Sequence, residues 1–134
     1  MAAATLTFEV ATPEKLAVAA EVTEATIPGS NGVLGILPGH APLISGIEPG
    51  ELTYVADGKK KSAVVSNGWV EVSNNRIRVL VDSFETSDQI DVKRAEESLK
   101  RAAERLASPN QDLDMARAVN AMKRAQARID VSKG

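Results

Sequence analysis

The stretch IDVKRAEESLKRAAERL, from Ile90 to Leu106, is repeated without a gap as LDMARAVNAMKRAQARI, from Leu113 to Ile129. In both copies the apolar residues recur in steps of three and four, which is typical of an amphipathic helix with a narrow apolar seam. The seam positions are Val92, Ala95, Leu99, Ala102 and Leu106 in the first copy, and Met115, Ala118, Met122, Ala125 and Ile129 in the second. The repeat therefore predicts two similar helices.

The segment 107–112 connects the two predicted helices and contains Pro109, which ends the first one. Asn110 or Asp112 is placed to cap the second helix. A connection this short predicts antiparallel helices packed seam against seam. Burial of a leucine is worth ~1.5–3 kcal/mol, and an alanine methyl contributes much less. Because alanines occupy much of the seam, we expect the hairpin to be held weakly.

The chain from Thr5 to Glu85 has an apolar pattern of period two, interrupted by turn residues every eight to twelve positions. Such a pattern is typical of a β-sandwich or barrel. Residues 18–27 are predicted as one strand region, and Asp57-Gly58 is a strong signal for a hairpin turn. At residues 83–90 the period changes to that of a helix, and Ser87 or Asp88 is placed to cap the first helix. The predicted fold is α+β, with an all-β sandwich domain at residues 1–87 and a helical hairpin at residues 88–134.

Composition limits the classes of function. The 134 residues are 43% hydrophobic, without a long apolar run or a signal-peptide pattern, so a soluble protein that is not exported is expected. The absence of cysteine excludes disulfides and thiolate sites, and with His40 as the one histidine no metal site is expected. Aromatic residues make up only 3%, which argues against a single-stranded nucleic acid partner. Basic residues outnumber acidic ones only in the helices, ten to eight at residues 88–134, against six to ten at residues 1–87.

For two features of the β region we favour a structural interpretation over a catalytic or ligand-binding one. The glycines at 29, 32, 35 and 39 are not followed by Gly-Lys-Ser/Thr, so they indicate turns that separate strands and not a phosphate loop. His40 has no serine or carboxylate near it in sequence, so a loop residue close to a partner surface is favoured over a general base.

The arginines of the hairpin are more informative. Arg101 and Arg105 are four residues apart, as are Arg124 and Arg128, so each pair lies on one helix face. Like charges at this spacing cost a few tenths of a kcal/mol in an isolated helix. Two interpretations remain open: a solvated basic face, or a surface of guanidinium groups suited to phosphate or carboxylate ligands.

Two stretches of the β region are distinctive: GVLGILPGHAPL at residues 32–43, and NGWVEV at residues 67–72 followed by IRVLV at residues 77–81. They resemble the epsilon subunit family of bacterial F-type ATP synthases. The resemblance covers essentially the whole chain. It implies a ten-stranded β-sandwich with an interface loop, whose residues here are Gly35, Pro38, His40 and Pro42. Many relatives have an acidic residue where this chain has Val33, so a charged contact with the rotor ring is not expected at that position.

The resemblance also implies a function. Such a subunit has no catalytic site and no cofactor. It couples the gamma subunit to the membrane rotor ring of c subunits, and its hairpin inhibits ATP hydrolysis by extending toward the catalytic alpha/beta hexamer. It would be a peripheral protein at the cytoplasmic face of the bacterial inner membrane, attached to the membrane only through the complex.

Some bacterial members of this family bind ATP as a regulatory ligand through an Ile/Leu-Asp-x-x-Arg-Ala motif. Here the motif is IDVKRA at residues 90–95, and LDMARA at residues 113–118 also fits it. Carried over by position, the ATP-binding residues are Glu85, Ile90, Asp91, Arg94, Ala95, Arg101, Arg124 and Arg128. A free-standing ATP-sensing module without an ATPase partner is the alternative. An ATP-hydrolysing enzyme is not supported, because the chain lacks a Walker lysine and a Mg²⁺-binding set.

Overall fold

A computed structural model describes residues 4–107 and 114–133 of the chain. Ten strands precede two α-helices, which confirms the predicted α+β fold. The strands are β1 (Leu6–Ala11), β2 (Leu16–Val22), β3 (Glu24–Gly29), β4 (Gly32–Ile36), β5 (Leu43–Ile47), β6 (Gly50–Ala56), β7 (Lys59–Val65), β8 (Gly68–Ser73), β9 (Arg76–Val81) and β10 (Phe84–Thr86). The helices are α1 (Val92–Ala107) and α2 (Met115–Lys133).

The strands form two layers. One contains β10-β7-β6-β3 with β4 on the other side of β3, and the other contains β5-β8-β9-β1-β2. The layers are joined where Gly29 of β3 pairs with Ile47 of β5. All neighbours are antiparallel except β1 and β9, which run parallel. Inward-pointing side chains of both layers, such as Phe8, Ile27 and Val79, form one buried core. The region is therefore a β-sandwich.

Local turn chemistry explains the tight connections. Asp57 and Gly58 join β6 to β7 with φ angles of 52° and 73°, the left-handed conformation that a two-residue hairpin turn requires. Asn74 and Asn75 join β8 to β9 with φ angles of 49° and 57°. Asn tolerates this region better than most side chains, so both turns follow from the residues present.

The structure corrects two strand predictions. Residues 18–27 form parts of two strands, because the chain turns at Thr23, whose backbone N–H donates to the carbonyl of Val55. The short strand β10, which pairs with Ala63 to Val65 of β7, is missing from the prediction. It lies where the sequence already changes toward the helical period.

The helix caps also differ from the prediction. Ser87 and Asp88 belong to a 3-10 turn, Ser87–Gln89, which precedes α1, so the prediction that one of them caps the first helix is wrong. The cap is Asp91, whose Oδ1 accepts a hydrogen bond from the backbone N–H of Arg94 at 3.1 Å. Asp114 caps α2 in the same way, through the N–H of Arg117 at 3.0 Å. The predicted caps of the second helix, Asn110 and Asp112, and also Pro109, lie outside the described residues.

The two helices pack along the predicted seam. Alanines form its buried centre, together with Ile129, whereas Leu99, Leu106 and Met122 are half-buried. The prediction is wrong for Val92 and Met115, the first seam position of each helix, which are exposed. The buried alanines are Ala95, Ala102, Ala118 and Ala125. Neither helix, within the residues described, has the length and apolar character needed to cross a membrane.

Candidate functional site

Helix α2 has a second apolar face, which attaches the hairpin to the β-sandwich. Ala127 and Val131 are buried against Val64 of β7, and Ile90 packs onto the same cluster. Helix α1 lies against α2, while α2 also contacts β6 and β7. Because Ile90 lies two residues before the start of α1, its contact with the last turns of α2 brings the start of one helix beside the end of the other.

Within residues 4–107 and 114–133, two ion pairs cross the same boundary. Lys123 Nζ donates to Glu48 Oε2 at 3.0 Å, and both side chains are 43% exposed. Arg128 donates from Nε at 2.9 Å and from Nη2 at 2.6 Å to Oε1 of Glu85. The second pair is less exposed, at 29% for Arg128 and 27% for Glu85. It therefore combines two charge-assisted hydrogen bonds with partial exclusion of water.

The first motif has a structural role of its own. Asp91 caps α1 through its side chain, and its carbonyl oxygen accepts the first helical hydrogen bond from Ala95 at 3.0 Å. Ala95 is 2% exposed and lies in the seam. The second motif repeats this arrangement, since Asp114 caps α2 and its carbonyl accepts from Ala118 at 3.0 Å. Aspartate and alanine at these motif positions are thus required by the helix start and by the seam.

The repeat also places equivalent positions around two clefts. The cleft at the start of α1 is lined by Asp91, Lys93, Arg94, Glu97 and Arg101. Shifted by the repeat length, the same five positions line a cleft at the start of α2, as Asp114, Ala116, Arg117, Asn120 and Arg124. Asn67 and Asp82 of the β-sandwich complete the second cleft. In the second cleft, Ala116 and Asn120 therefore stand in place of Lys93 and Glu97, and the β-sandwich forms one wall.

The predicted ATP-binding residues thus fall into separate parts of the hairpin. Arg94 and Arg101 share the cleft of α1, whereas Arg124 lines the cleft of α2. Arg128 is paired with Glu85 on β10, near the cluster that contains Ile90. A third cleft between the helices is lined by Ser98, Arg101, Ala102, Arg105, Ala118 and Ala121. Arg101 borders both this cleft and the one at the start of α1.

The predicted interface loop is held by hydrogen bonds to neighbouring backbone and to the β8–β9 turn. The N–H of Gly39, at φ 85°, donates to Asn75 Oδ1 at 2.7 Å, and the N–H of His40 donates to the carbonyl of Leu37 at 3.1 Å. His40 Nδ1 lies 2.7 Å from the carbonyl oxygen of Ala41. The loop surface consists of Val33, Leu37, Gly35, Pro38, His40 and Pro42. Val33 is 73% exposed, so this surface is notably apolar.

A second apolar surface lies on the outer face of the sheet. Trp69 pairs with Leu80, and Ala11 of β1 pairs with both Leu80 and Leu16, so these side chains line up across four strands. Trp69 is 62% exposed, and Ile44 on the neighbouring strand is 73% exposed. We call Leu16, Ile44, Trp69 and Leu80 the sheet-face surface. The sequence prediction did not find it, although Trp69 and Glu71 alternate with the buried Val70 and Val72 in β8.

The cross-domain residues Glu48, Val64, Lys123, Ala127 and Val131 were likewise not predicted as site residues. Ala127 and Val131 are four residues apart and so share a helix face, which was the available signal. Nothing in sequence pairs Lys123 with Glu48, 75 residues away. In the part of the chain that the structure describes, no three carboxylate or histidine side chains are grouped so as to hold a metal ion.

Two family profiles match the chain. One is described as ATP synthase, Delta/Epsilon chain, beta-sandwich domain, and matches residues 5–87. The other, ATP synthase, Delta/Epsilon chain, long alpha-helix domain, matches residues 88–133. The ATP synthase epsilon chain of Solibacter usitatus is 42% identical over 125 residues, which cover 93% of each chain. That of Desulfitobacterium hafniense is 40% identical over 131 residues, covering 98% of each.

Two solved structures share the fold at 19% identity. A chain of the Euglena gracilis mitochondrial ATP synthase, in a structure of OSCP/F1/c-ring, has a TM-score of 0.84 over 98% of this chain and 82% of its own length. A chain of the Tetrahymena thermophila mitochondrial ATP synthase, in a structure of the central stalk and c-ring, has a TM-score of 0.57, covering 99% of this chain and 97% of its own.

Proposed function

Because this chain belongs to the delta/epsilon chain family of ATP synthases, we propose that it is a non-catalytic subunit of the central stalk of a bacterial F-type ATP synthase. In this role it couples the gamma subunit to the rotor ring of c subunits. It meets the membrane, at the cytoplasmic face, only through the complex. The names of its relatives and the assemblies that contain its structural neighbours support this role.

Two apolar surfaces of the β-sandwich suit the two stalk contacts. The loop surface would meet the c ring, with Val33 supplying an apolar contact in place of a charged one. The sheet-face surface would meet gamma, with Trp69 as its centre. Exposed tryptophan is enriched at protein interfaces, where a rigid amphipathic ring gains contact area at little entropic cost.

The exposure of Trp69 is the observation that favours a stalk subunit over a free-standing ATP sensor. A sensor that acts alone has no need for an apolar surface across four strands, whereas a subunit buries it in the complex. The test is co-purification of the tagged chain with gamma. Trp69→Glu should abolish recovery of gamma, and Lys60→Glu at the β6–β7 hairpin should leave it unchanged. Recovery of gamma by Trp69→Glu would contradict the assigned surface, and failure of the wild type to recover gamma would favour the sensor.

The hairpin would supply regulation. Its seam is built largely from alanines, so contacts with the alpha/beta hexamer can replace it at little cost. We propose that the released helices inhibit ATP hydrolysis. Their basic surplus would suit an acidic surface on the hexamer.

ATP would act as the ligand that keeps the hairpin closed. Arg94, Arg101, Arg124 and Arg128 would bind the phosphates, while Ile90, Asp91 and Ala95 shape the adenine side. Support comes from the cluster of Ile90 with Ala127 and Val131, which places the start of α1 beside the part of α2 that carries Arg128. Arginines from both helices could thus reach one ligand. Bound without hydrolysis, ATP would stabilise the closed form by about 2.7 kcal/mol at a hundredfold excess over Kd, if the open form does not bind it.

Calorimetric titration with ATP, with and without Mg²⁺, tests this site. A charge-assisted hydrogen bond is worth ~1.5–3 kcal/mol, so Arg124→Ala should raise Kd roughly ten- to a hundredfold. Lys100→Ala is the control, because Lys100 is an exposed basic residue of α1 that lines none of the three clefts. Equal affinity of wild type and Arg124→Ala, or release of phosphate by the isolated chain, would contradict the proposed site.

A further inference from the structure

The pairing of Glu85 with Arg128 determines how Arg128 can meet a ligand. Both hydrogen bonds, from Nε at 2.9 Å and Nη2 at 2.6 Å, end on the same carboxylate oxygen, Oε1. They connect β10 to α2 over 43 residues of sequence. One edge of the planar guanidinium group is therefore fixed to the β-sandwich.

The opposite edge of the guanidinium remains able to donate. Arginine has five N–H donors in a rigid fork, and Glu85 takes one from Nε and one from Nη2. Three donors remain, two on Nη1 and one on Nη2, and this edge matches a phosphate group. The ion pair thus leaves Arg128 competent to bind a ligand while it restricts the rotamers of a long, flexible side chain.

A direct contact between Glu85 and the phosphates is unfavourable. Like charges at short distance repel, and a carboxylate offers only acceptor oxygens to another acceptor. Beside Arg128, however, the guanidinium already compensates the negative charge of Glu85. Glu85 still orients the Arg128 side chain. The pair is also partly shielded from water, which strengthens the orientation.

We infer that Glu85 is a positioning residue, which holds Arg128 in place to bind a phosphate group of the nucleotide and does not itself contact the phosphates. This inference rests on the proposed function for the identity of the ligand. It changes the role that family resemblance gives Glu85, from a ligand contact to a residue acting through Arg128. Because Glu85 lies on β10, nucleotide binding would also strengthen the attachment of α2 to the β-sandwich.

A double-mutant cycle tests the inference, with ATP affinity measured by calorimetry on the full chain. Glu85→Ala should weaken binding roughly tenfold, and Arg128→Ala at least as much. The double variant should bind no more weakly than Arg128→Ala alone, because Glu85 has no effect without its partner. Glu85→Gln retains an acceptor oxygen at the same reach and should recover part of the lost affinity.

The ion pair of Lys123 with Glu48 provides the matched control. Lys123→Ala removes the other charged contact between α2 and the β-sandwich, and should leave ATP affinity within about twofold. An equal loss in Lys123→Ala would show that general attachment of α2 explains the effect, and would overturn the inference. Circular dichroism of each variant checks that the helices are retained.

The remaining outcomes separate the inference from the proposed function. Additive losses in the double variant would show that Glu85 contacts the nucleotide, and tighter binding by Glu85→Ala would show that it competes with the phosphates. Either result overturns the inference and leaves the ATP site in place. Unchanged affinity in Arg128→Ala would overturn both the inference and the assignment of Arg128 to the proposed site.

Discussion

The β-sandwich and the hairpin are built with different kinds of core. The sandwich buries large aliphatic side chains from both layers around Phe8 and Tyr54, whose ring centroids are 4.9 Å apart. The buried centre of the helical seam consists of four alanines and Ile129, with the larger Leu99, Leu106 and Met122 only half-buried. Apolar burial stabilises in proportion to area, so the sandwich is much the more strongly held region.

This difference separates a rigid part from a part that can be switched. The sandwich presents the loop and sheet-face surfaces in fixed positions, which suits the proposed stalk contacts. Among the described residues, the hairpin is attached through one cluster around Val64 and two ion pairs. A ligand whose binding stabilises the closed hairpin by a few kcal/mol can therefore change the state of the hairpin without affecting the sandwich.

The largest expected effect comes from the sandwich core. Phe8→Ala should lower the free energy of unfolding by about 3–5 kcal/mol, because it leaves a cavity beside Tyr54. Leu99→Ala in the seam should cost about 1–2 kcal/mol, since a half-buried leucine loses less on truncation. Urea unfolding followed by circular dichroism measures both. Equal losses of unfolding free energy in the two variants would show that the sandwich core and the helical seam are held equally strongly.

Removal of the hairpin should have a smaller effect on the sandwich. A chain that ends at Ser87 should stay soluble and folded, with a strand-type circular dichroism spectrum. The exposure of Val64 should lower its free energy of unfolding by about 1.5–3 kcal/mol. Aggregation or loss of the strand spectrum would show that the helices complete the sandwich core.

The smallest effect distinguishes a helix cap from a ligand contact. Asp91→Ala removes the cap of α1 and should reduce hairpin stability by about 0.5–2 kcal/mol, and Asp114→Ala should do the same for α2. Both losses should appear in the thermal melting of the helical signal without ATP. If Asp91→Ala weakened ATP binding while the helices kept their full stability, the aspartate would act as a ligand contact alone.

The sequence predicted the regular parts of the fold and missed features that depend on distant contacts. The seam alanines and the Asp57-Gly58 turn follow from local periodicity and local backbone preference, and the structure confirms both. The break at Thr23 contains neither glycine nor proline, and alternation alone cannot locate it. Likewise, β10 has only three residues, and its pairing with β7 determines its conformation.

The candidate site was predictable to a similar extent. The repeat identified the arginines of the hairpin, and the family resemblance selected Glu85. Neither could show that Glu85 is bonded to Arg128, because that contact depends on how α2 is placed on the sandwich. The cap of α1 was misassigned because the 3-10 turn at Ser87–Gln89 separates the first capping residues in sequence from the true start of α1.

Inhibition of the ATPase would require the hairpin to leave its closed position. Ala102 of α1 and Ala118 of α2 line the same cleft, so cysteines introduced at both positions can be joined by a short cross-linker. The measurement is ATP hydrolysis by the complex reconstituted with cross-linked protein, compared with the same double-cysteine protein before cross-linking and with each single cysteine variant. We expect no inhibition by the cross-linked protein and normal inhibition by the three controls. Full inhibition by the cross-linked protein would contradict the claim.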